Sequence, residues 1–355
     1  MLVLGIETSC DECSAAVVTD GKTILSNIIA TQIPYHAPWS GVVPEIASRK
    51  HTEWIYTVVK EAIDKAQLRV TDIEAVAVTN RPGLLGSLIV GLSFAKAFAW
   101  ARNIPFIAVD HMLAHLYAPR LQTDNSEQVT DSEEQTAENI QSVEYPFLGL
   151  LVSGGHTIIC RADNFDDITV LGTTIDDAVG EAFDKVAKFY NFGYPGGVVI
   201  EKMARNGDDG AFNFPMPSLH KGNHRYDVSY SGLKNACINQ LDNFKKKNSG
   251  HTNEDIAASF QKTAVNILLR ALLNAAEDTG LTTIVAGGGV AANSLLREKL
   301  AGQKHLKCVF PPLELCGDNA AMVAGISYHY LARGDKSPLN ITAQARVTGF
   351  KKKYP

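Results

Sequence analysis

The 355-residue sequence lacks the marks of several protein classes. Its first apolar run is short, has no basic flank and leads straight into polar residues, which argues against a secretory segment. No apolar stretch is unbroken over membrane-spanning length. The most apolar window, GLLGSLIVGLSFAKAFAWA, is interrupted by glycines, serines and Lys96, and suits a buried core helix better. A cytoplasmic protein without membrane contact is expected. The six cysteines (Cys10, Cys13, Cys160, Cys237, Cys308 and Cys316) show no disulfide-framework spacing, and a chain of this size needs no such staples. A zinc ribbon would want a second Cys-x-x-Cys about 15–20 residues after Cys10-Asp-Glu-Cys13. The next cysteine is Cys160, so the zinc reading of that pair fails. Positive charge is not in excess either. Against 38 Asp and Glu stand 33 Lys and Arg, a net charge of −5 that argues against a strongly basic nucleic-acid binder.

Residues 122–144, QTDNSEQVTDSEEQTAENIQSVE, contain no Lys, Arg or aromatic residue. Removing their seven acids leaves 31 against 33 basic residues, a nearly neutral body. Such a segment cannot bury enough to order itself, and it reads as a disordered insertion between two compact parts. Two lysine clusters, Lys245–Lys247 and Lys351–Lys353, read first as solvated faces. With 45% hydrophobic and 20% charged residues the chain is an ordinary globular one.

On either side of the insertion, strand and helix patterns alternate, which predicts an α/β protein with mixed sheets. Strands are expected at LVLGIE, SAAVVT, TILSNIIA, AVAVT and PFIAVD, then FLGLLVSGG, HTIICRA, IVAGGG and KCVFPP. Helices are expected around 44–66, 86–102, 111–120, 176–190, 254–279, 293–301 and 318–333. LGIETSCDECSAAVV and LGLLVSGGHTIICRA share one plan of strand, small polar turn and strand. This faint repeat suggests two lobes, each offering a turn to a shared cleft.

Three glycine-rich turns are candidates for holding an anion. Glycines in Ser153-Gly154-Gly155 let backbone N–H groups approach a phosphate without a Cβ in the way, although a plain hairpin turn reads the same. Gly287-Gly288-Gly289 with Ala292 satisfies the loose Gly-x-Gly-x-x-Ala pattern ahead of a helix starting near Asn293. Asn293 either caps that helix or binds a nucleoside. Tyr194-Pro195-Gly196-Gly197 reads as the close of helix 176–190, its glycines a flat wall for a nucleotide. That helix is expected to bury Val179, Ala182, Phe183, Val186 and Phe189. Asp177, Glu181, Asp184 and Lys188 lie on its other face, with Glu181–Lys185 and Asp184–Lys188 as i,i+4 pairs or an acid turned to a ribose.

In Asp110-His111-Met-Leu-Ala-His115 the two histidines stand four apart, on one face of a helix, where both can reach one metal. The zincin motif has a Glu directly after its first His; here that place holds Met112, which removes the metalloprotease chemistry. Asp318, in CGDNAAM, is the natural third ligand, or else a plain N-cap. Two histidines and a carboxylate suit iron or zinc.

Together these stretches resemble the tRNA adenosine threonylcarbamoyltransferases, of the TsaD type, a family once described as O-sialoglycoprotein endopeptidases. The strings that carry the resemblance are GIETSCDE, SGVVPEIASRKH, PGLLGSLIVG, DHMLAHL, LLVSGGHT, DDAVGEAFDKVAK with YPGG, YSGLK, DIAASFQ, AGGGVAAN with LR, and CGDNAAM. The resemblance implies a two-lobed actin/hexokinase/Hsp70-like fold with a central cleft. It implies a first lobe of residues 1–121 joined by helix region 318–342, and a second lobe of 145–317. It implies His111, His115 and Asp318 as ligands of one divalent metal, iron ahead of zinc. Leu151, Val152, Ser153, Gly154, Gly155, Asp184, Gly197, Glu201 and Asn293 would hold the adenylate.

The implied reaction moves threonylcarbamoyl from threonylcarbamoyl-AMP to the exocyclic amine of adenosine 37, in tRNAs reading codons that begin with A. Asp11 and Glu12 are the nearest candidates for its general base. Implied partners are a paralogous inactive subunit, a small P-loop ATPase and a separate enzyme that makes the adenylate. The CDEC stretch then becomes a phosphate-side turn rather than a redox pair. Where this chain has Arg81, Ser40 and Val198 the family commonly has glycine, glycine and proline; it usually has Thr-Gly at Cys13-Ser14. Arg81 is expected to meet phosphate or an acidic partner. An ATP-driven chaperone or sugar kinase of the same fold, a metalloprotease and a non-catalytic scaffold are the competing readings.

Overall fold

The computed structural model describes residues 1–123, 143–219, 224–247, 250–346 and 351–352. The chain divides into two compact units, Met1–Glu144 with Pro311–Gly349 and Tyr145–Phe310 with Phe350–Pro355.

The first unit begins with a meander of β1 (Leu2–Glu7), β2 (Glu12–Thr19) and β3 (Thr23–Thr31). The short α1 (Ile33–His36) and the long α2 (Pro44–Lys65) follow. Next come β4 (Ala75–Arg81), parallel to β1, then α3 (Leu85–Arg102) and β5 (Phe106–Asp110), parallel to β4. α4 (His111–Tyr117) starts directly on the last residue of β5, and β6 (Gln122–Thr123) lies beside β3.

Strand alternation assigns the two faces of this sheet. Leu4, Ile6, Val76 and Val78 pack with Ile55, Val59, Ile63, Leu92 and Ala95 of α2 and α3. Gly5, pointing the other way, lies against the later helix, because a Cβ there would meet Ala320 O at 2.2 Å.

In the second unit β7 (Phe147–Val152), β8 (Thr157–Ala162) and β9 (Ile168–Thr173) form another meander. Helices α5 (Val179–Tyr190), α6 (Gly196–Ala204), α7 (Ser231–Lys247) and α8 (Asn253–Thr279) come next. β10 (Thr283–Gly287), α9 (Ser294–Ala301) and β11 (Lys307–Val309) complete the parallel edge, and α10 (Ala320–Ala332) belongs to the first unit. The final strand β12 (Lys351–Lys352) lies beside β9. The sheet orders are β5-β4-β1-β2-β3-β6 and β11-β10-β7-β8-β9-β12. The faint hairpin repeat is thus a repeat of a whole sheet plan.

Several expectations are corrected. Gln122 and Thr123, assigned to the insertion, form β6, and Val143 is buried; residues 124–142 lie outside the described residues. Helix 176–190 starts at Val179, and Phe189 is 45% exposed rather than core. Tyr194-Pro195-Gly196-Gly197 does not close that helix: Asn191 caps it in the left-handed region, and Gly196 and Gly197 open α6. β9, α1, α6 and α7 were not foreseen, since their apolar residues are few or interrupted by glycine, serine and lysine. Lys245–Lys247 end α7, and Lys353 lies outside the described residues. Among the described residues no helix is long and apolar enough to cross a membrane.

Candidate functional site

In the first unit α4 presents two histidines one turn apart, and α10 is preceded by an aspartate that faces them. His115 Nε2 lies 3.1 Å from His111 Nε2 and 3.1 Å from Asp318 Oδ1; His111 Nε2 lies 3.5 Å from the same oxygen. Donors bound at about 2.0–2.1 Å around a tetrahedral ion stand roughly 3.3 Å apart, so these three atoms fit a single cation. Two imidazoles and one carboxylate are also a donor set that suits a divalent transition metal. Asp318 is not the helix cap that its position allowed. Asn319 caps α10, accepting from Met322 N at 3.1 Å, which releases the Asp318 carboxylate toward the histidines.

A layer of residues that sequence reasoning missed stands behind this group. Glu7, fully buried at the end of β1, accepts from Thr79 Oγ1 at 2.5 Å and from Ser9 N at 2.6 Å. Its Oε2 lies 3.0 Å from His111 Nδ1, and Ser9 Oγ lies 3.2 Å from the same nitrogen. With a metal bound, a proton held on Nδ1 toward Glu7 would leave Nε2 as the lone-pair atom facing the ion. The only signal of this role was a charged residue ending an otherwise apolar strand. Burial would raise the Glu7 carboxyl, but the charge and hydrogen bond of His111 bring it below the usual range. Burial would lower His111, yet the Asp318 and Glu7 carboxylates raise it to about 9. Burial and the neighbouring His111 charge lower His115, whose Nδ1 has no hydrogen-bond partner among the described residues.

Arg81, whose charge was a candidate for phosphate or an acidic partner, meets an acid within the chain. Its Nε donates to Asp110 Oδ2 at 3.0 Å, and Asp110 Oδ1 caps α4 by accepting from Met112 N at 2.9 Å.

The CDEC turn joins β1 to β2. Burial pushes the Cys10 thiol well up, with Asp11 and Asp318 adding to it, and burial pushes Cys13 up to about 12. Neither forms a ready thiolate, so a redox pair has no nucleophile. Burial, then the charges of Asp11 and Asp318, raise Glu12 to about 9, so it keeps its proton at neutral pH. The turn is clamped from outside by His51 Nε2, 2.9 Å from Cys10 O, and by Gln32 N, which donates to Asp11 O at 3.1 Å.

In the second unit Leu151 and Val152 end β7, and Ser153-Gly154-Gly155 turns into β8. The turn closes on itself, Ser153 N donating to His156 O at 2.9 Å and His156 N to Ser153 Oγ at 3.1 Å. A Cβ at Gly154, Gly155 or Gly197 would meet no described atom within 4 Å, so packing does not demand glycine there. Gly288 is different: its φ is +94° and a Cβ would strike Val152 O at 2.3 Å. Asp184 Oδ1 accepts from Gly196 N at 2.7 Å, tying α5 to the start of α6. Asn293 caps α9 through Leu296 N at 3.0 Å and also donates to Glu201 Oε2 at 3.3 Å. Glu201 further accepts from Ser294 Oγ at 2.7 Å, beside a cavity of about 430 Å³ that Gln261 and Asp208 also line.

The family model of TsaD, tRNA N6-adenosine threonylcarbamoyltransferase, matches residues 23–325. The chain is 64% identical over 353 residues to the tRNA N6-adenosine threonylcarbamoyltransferase of Treponema denticola, covering 99% of each. It is 55% identical to that of Treponema pallidum, covering 99% of this chain and 95% of the relative. Among solved structures, HypF from T. kodakarensis is similar with a TM-score of 0.58 at 15% identity, over 94% of this chain and 48% of that one. Component A of the Acidaminococcus fermentans (R)-2-hydroxyglutaryl-CoA dehydratase gives 0.54 at 13% identity, over 94% and 99%. These two likenesses speak for the fold, an α/β chain of the actin/hexokinase/Hsp70 type. The family match along the chain, the sequence identities and the fold lead to one conclusion: the chain belongs to the tRNA N6-adenosine threonylcarbamoyltransferase family.

Proposed function

We infer that the protein transfers threonylcarbamoyl from threonylcarbamoyl-AMP to the exocyclic amine of adenosine 37, in tRNAs reading codons that begin with A. The observation that carries this reading is the His111–His115–Asp318 group in a chain of this family. His111, His115 and Asp318 would hold one divalent metal, iron ahead of zinc. Such an ion, when bound, would supply Lewis-acid polarisation of the threonylcarbamoyl carbonyl.

The chain's own groups do the rest. Backbone N–H groups of Gly154 and Gly155 receive the phosphate, with Leu151, Val152 and Ser153 holding that turn. The open Cβ positions at Gly154, Gly155 and Gly197 support an approach this close. Asp184, Glu201 and Asn293 take the nucleoside hydroxyls and base edge. The amine nitrogen forms its bond to the carbonyl carbon, the bond to the phosphate oxygen breaks, and AMP leaves with that electron pair. AMP is a good leaving group, so no protein nucleophile is required. The proton lost from the amine passes to Asp11, with the protonated Glu12 beside it. The near-neutral body fits a protein that shares tRNA affinity with a paralogous inactive subunit and a small P-loop ATPase, after a separate enzyme has made the adenylate. A cytoplasmic setting follows from the tRNA substrate.

The test is incubation of the purified protein with threonylcarbamoyl-AMP and unmodified tRNA, with and without those partners, followed by mass spectrometry of the nucleosides. Threonylcarbamoyladenosine that disappears with His111→Ala is the expected result. ATP turnover with no modified nucleoside, even with partners, would move the chain to the kinase or chaperone reading.

A further inference from the structure

The helix that carries both histidines is only seven residues long and follows β5 without a linking turn. Its orientation therefore depends on how its first turn is tied down. Asp110 does this with both oxygens. Oδ1 accepts from Met112 N at 2.9 Å and Leu113 N at 3.5 Å, and Oδ2 accepts from Arg81 Nε at 3.0 Å. The Asp110 side chain is 3% exposed and that of Arg81 is 40% exposed, so a buried carboxylate meets a cation on its open side. Arg81 ends β4 and pairs with Asp110 where the β4–β5 ladder slips between Thr79 and Arg81. Without its partner the carboxylate would be a buried unpaired charge, free to rotate away from the cap.

We propose that Arg81 and Asp110 form a positioning couple for the metal centre. The guanidinium fixes the rotation of the Asp110 carboxylate, the carboxylate fixes the first turn of α4, and that turn sets where His111 Nε2 and His115 Nε2 meet Asp318. The inference rests on the metal reading given above, and it assigns to Arg81 a role inside the molecule rather than toward substrate phosphate.

The test uses the full chain, stripped with a chelator and titrated with cobalt(II), whose visible d–d band reports both affinity and donor geometry. His111→Ala is the control for loss of the centre. Arg81→Ala and Asp110→Asn, which keeps a capping oxygen but loses the charge, should each weaken cobalt binding about tenfold and shift the band. The double variant should lose no more than either single one, and Arg81→Lys should recover part of the loss. The metal-free Arg81→Ala variant should melt lower, since it leaves the Asp110 carboxylate buried and unpaired, but should still melt cooperatively, so the cobalt titration reads the centre and not an unfolded chain. Unchanged affinity and band in Arg81→Ala, or additive losses in the double variant, would overturn the couple while leaving the metal reading intact. Failure of the unmodified chain to bind cobalt would overturn both.

Discussion

Glu7 shows how much of a site can rest on one side chain that never faces the substrate. It is buried, accepts three hydrogen bonds and holds His111 by the nitrogen that faces away from Asp318. Glu7→Gln keeps the shape but removes the charge, and should weaken metal binding roughly 10–100-fold, as measured by metal content after dialysis. His111→Ala with His115→Ala should abolish bound metal while circular dichroism and a cooperative melt are retained; full occupancy would sink the ligand assignment. His111 also sets a pH dependence. Its folded pKa of about 9 lies above the unfolded 6.5, so the metal-free fold binds the proton more tightly than the unfolded chain does. That stabilisation is complete below about pH 6.5 and is lost as pH rises through about 9. The melting temperature of chelator-treated protein should therefore fall over this range, and His111→Gln should flatten the fall. The grouping of two histidines with Asp318 was itself readable from the i,i+4 spacing and from the CGDNAAM motif. Glu7 and Asp110 were not, because a charge at a strand end means nothing until its neighbours in space are known.

β1 and α10 illustrate how elements place the candidate ligands. α10 presses on β1 so closely that Gly5 has no room for a Cβ, which would also lie 2.9 Å from Ala324 Cβ. Gly5→Ala should cost about 3 kcal/mol, at the upper end of overpacking penalties, because two of the three colliding atoms, Ala320 O and Ala324 N, are backbone. It should also reduce metal retention, since Asp318 stands just before α10. Denaturant unfolding together with metal analysis checks both effects; an unchanged midpoint would remove the close-packing argument. Strands and long helices were legible to within a few residues because burial repeats every two or every three to four positions. β9, α6 and α7 were missed, their patterns being short or mixed. The glycines at 196 and 197 read as a helix stop but begin a helix, since Pro195 takes the N-cap place.

The first unit is assembled from both ends of the sequence, Met1–Glu144 with Pro311–Gly349. A chain ending at Phe310 would lack α10 and leave the Gly5 face of β1 uncovered. It should fail to melt cooperatively and should bind an apolar dye; a cooperative melt at the full-length temperature would contradict this. The α/β class, the alternation of strands and helices, the glycine turns and the family resemblance were all set by local pattern, because period, turn chemistry and motif spacing are properties of neighbouring residues. Whether Asp318 caps a helix or faces two histidines some 200 residues earlier in the chain is a matter of packing. So is the partner of Arg81, and so is the doubling of a whole six-stranded sheet plan from a hint in two hairpins. Contacts between residues far apart in the chain leave no periodic trace in it, and the meeting of Asp318 with the histidines exists only once α10 has settled on β1.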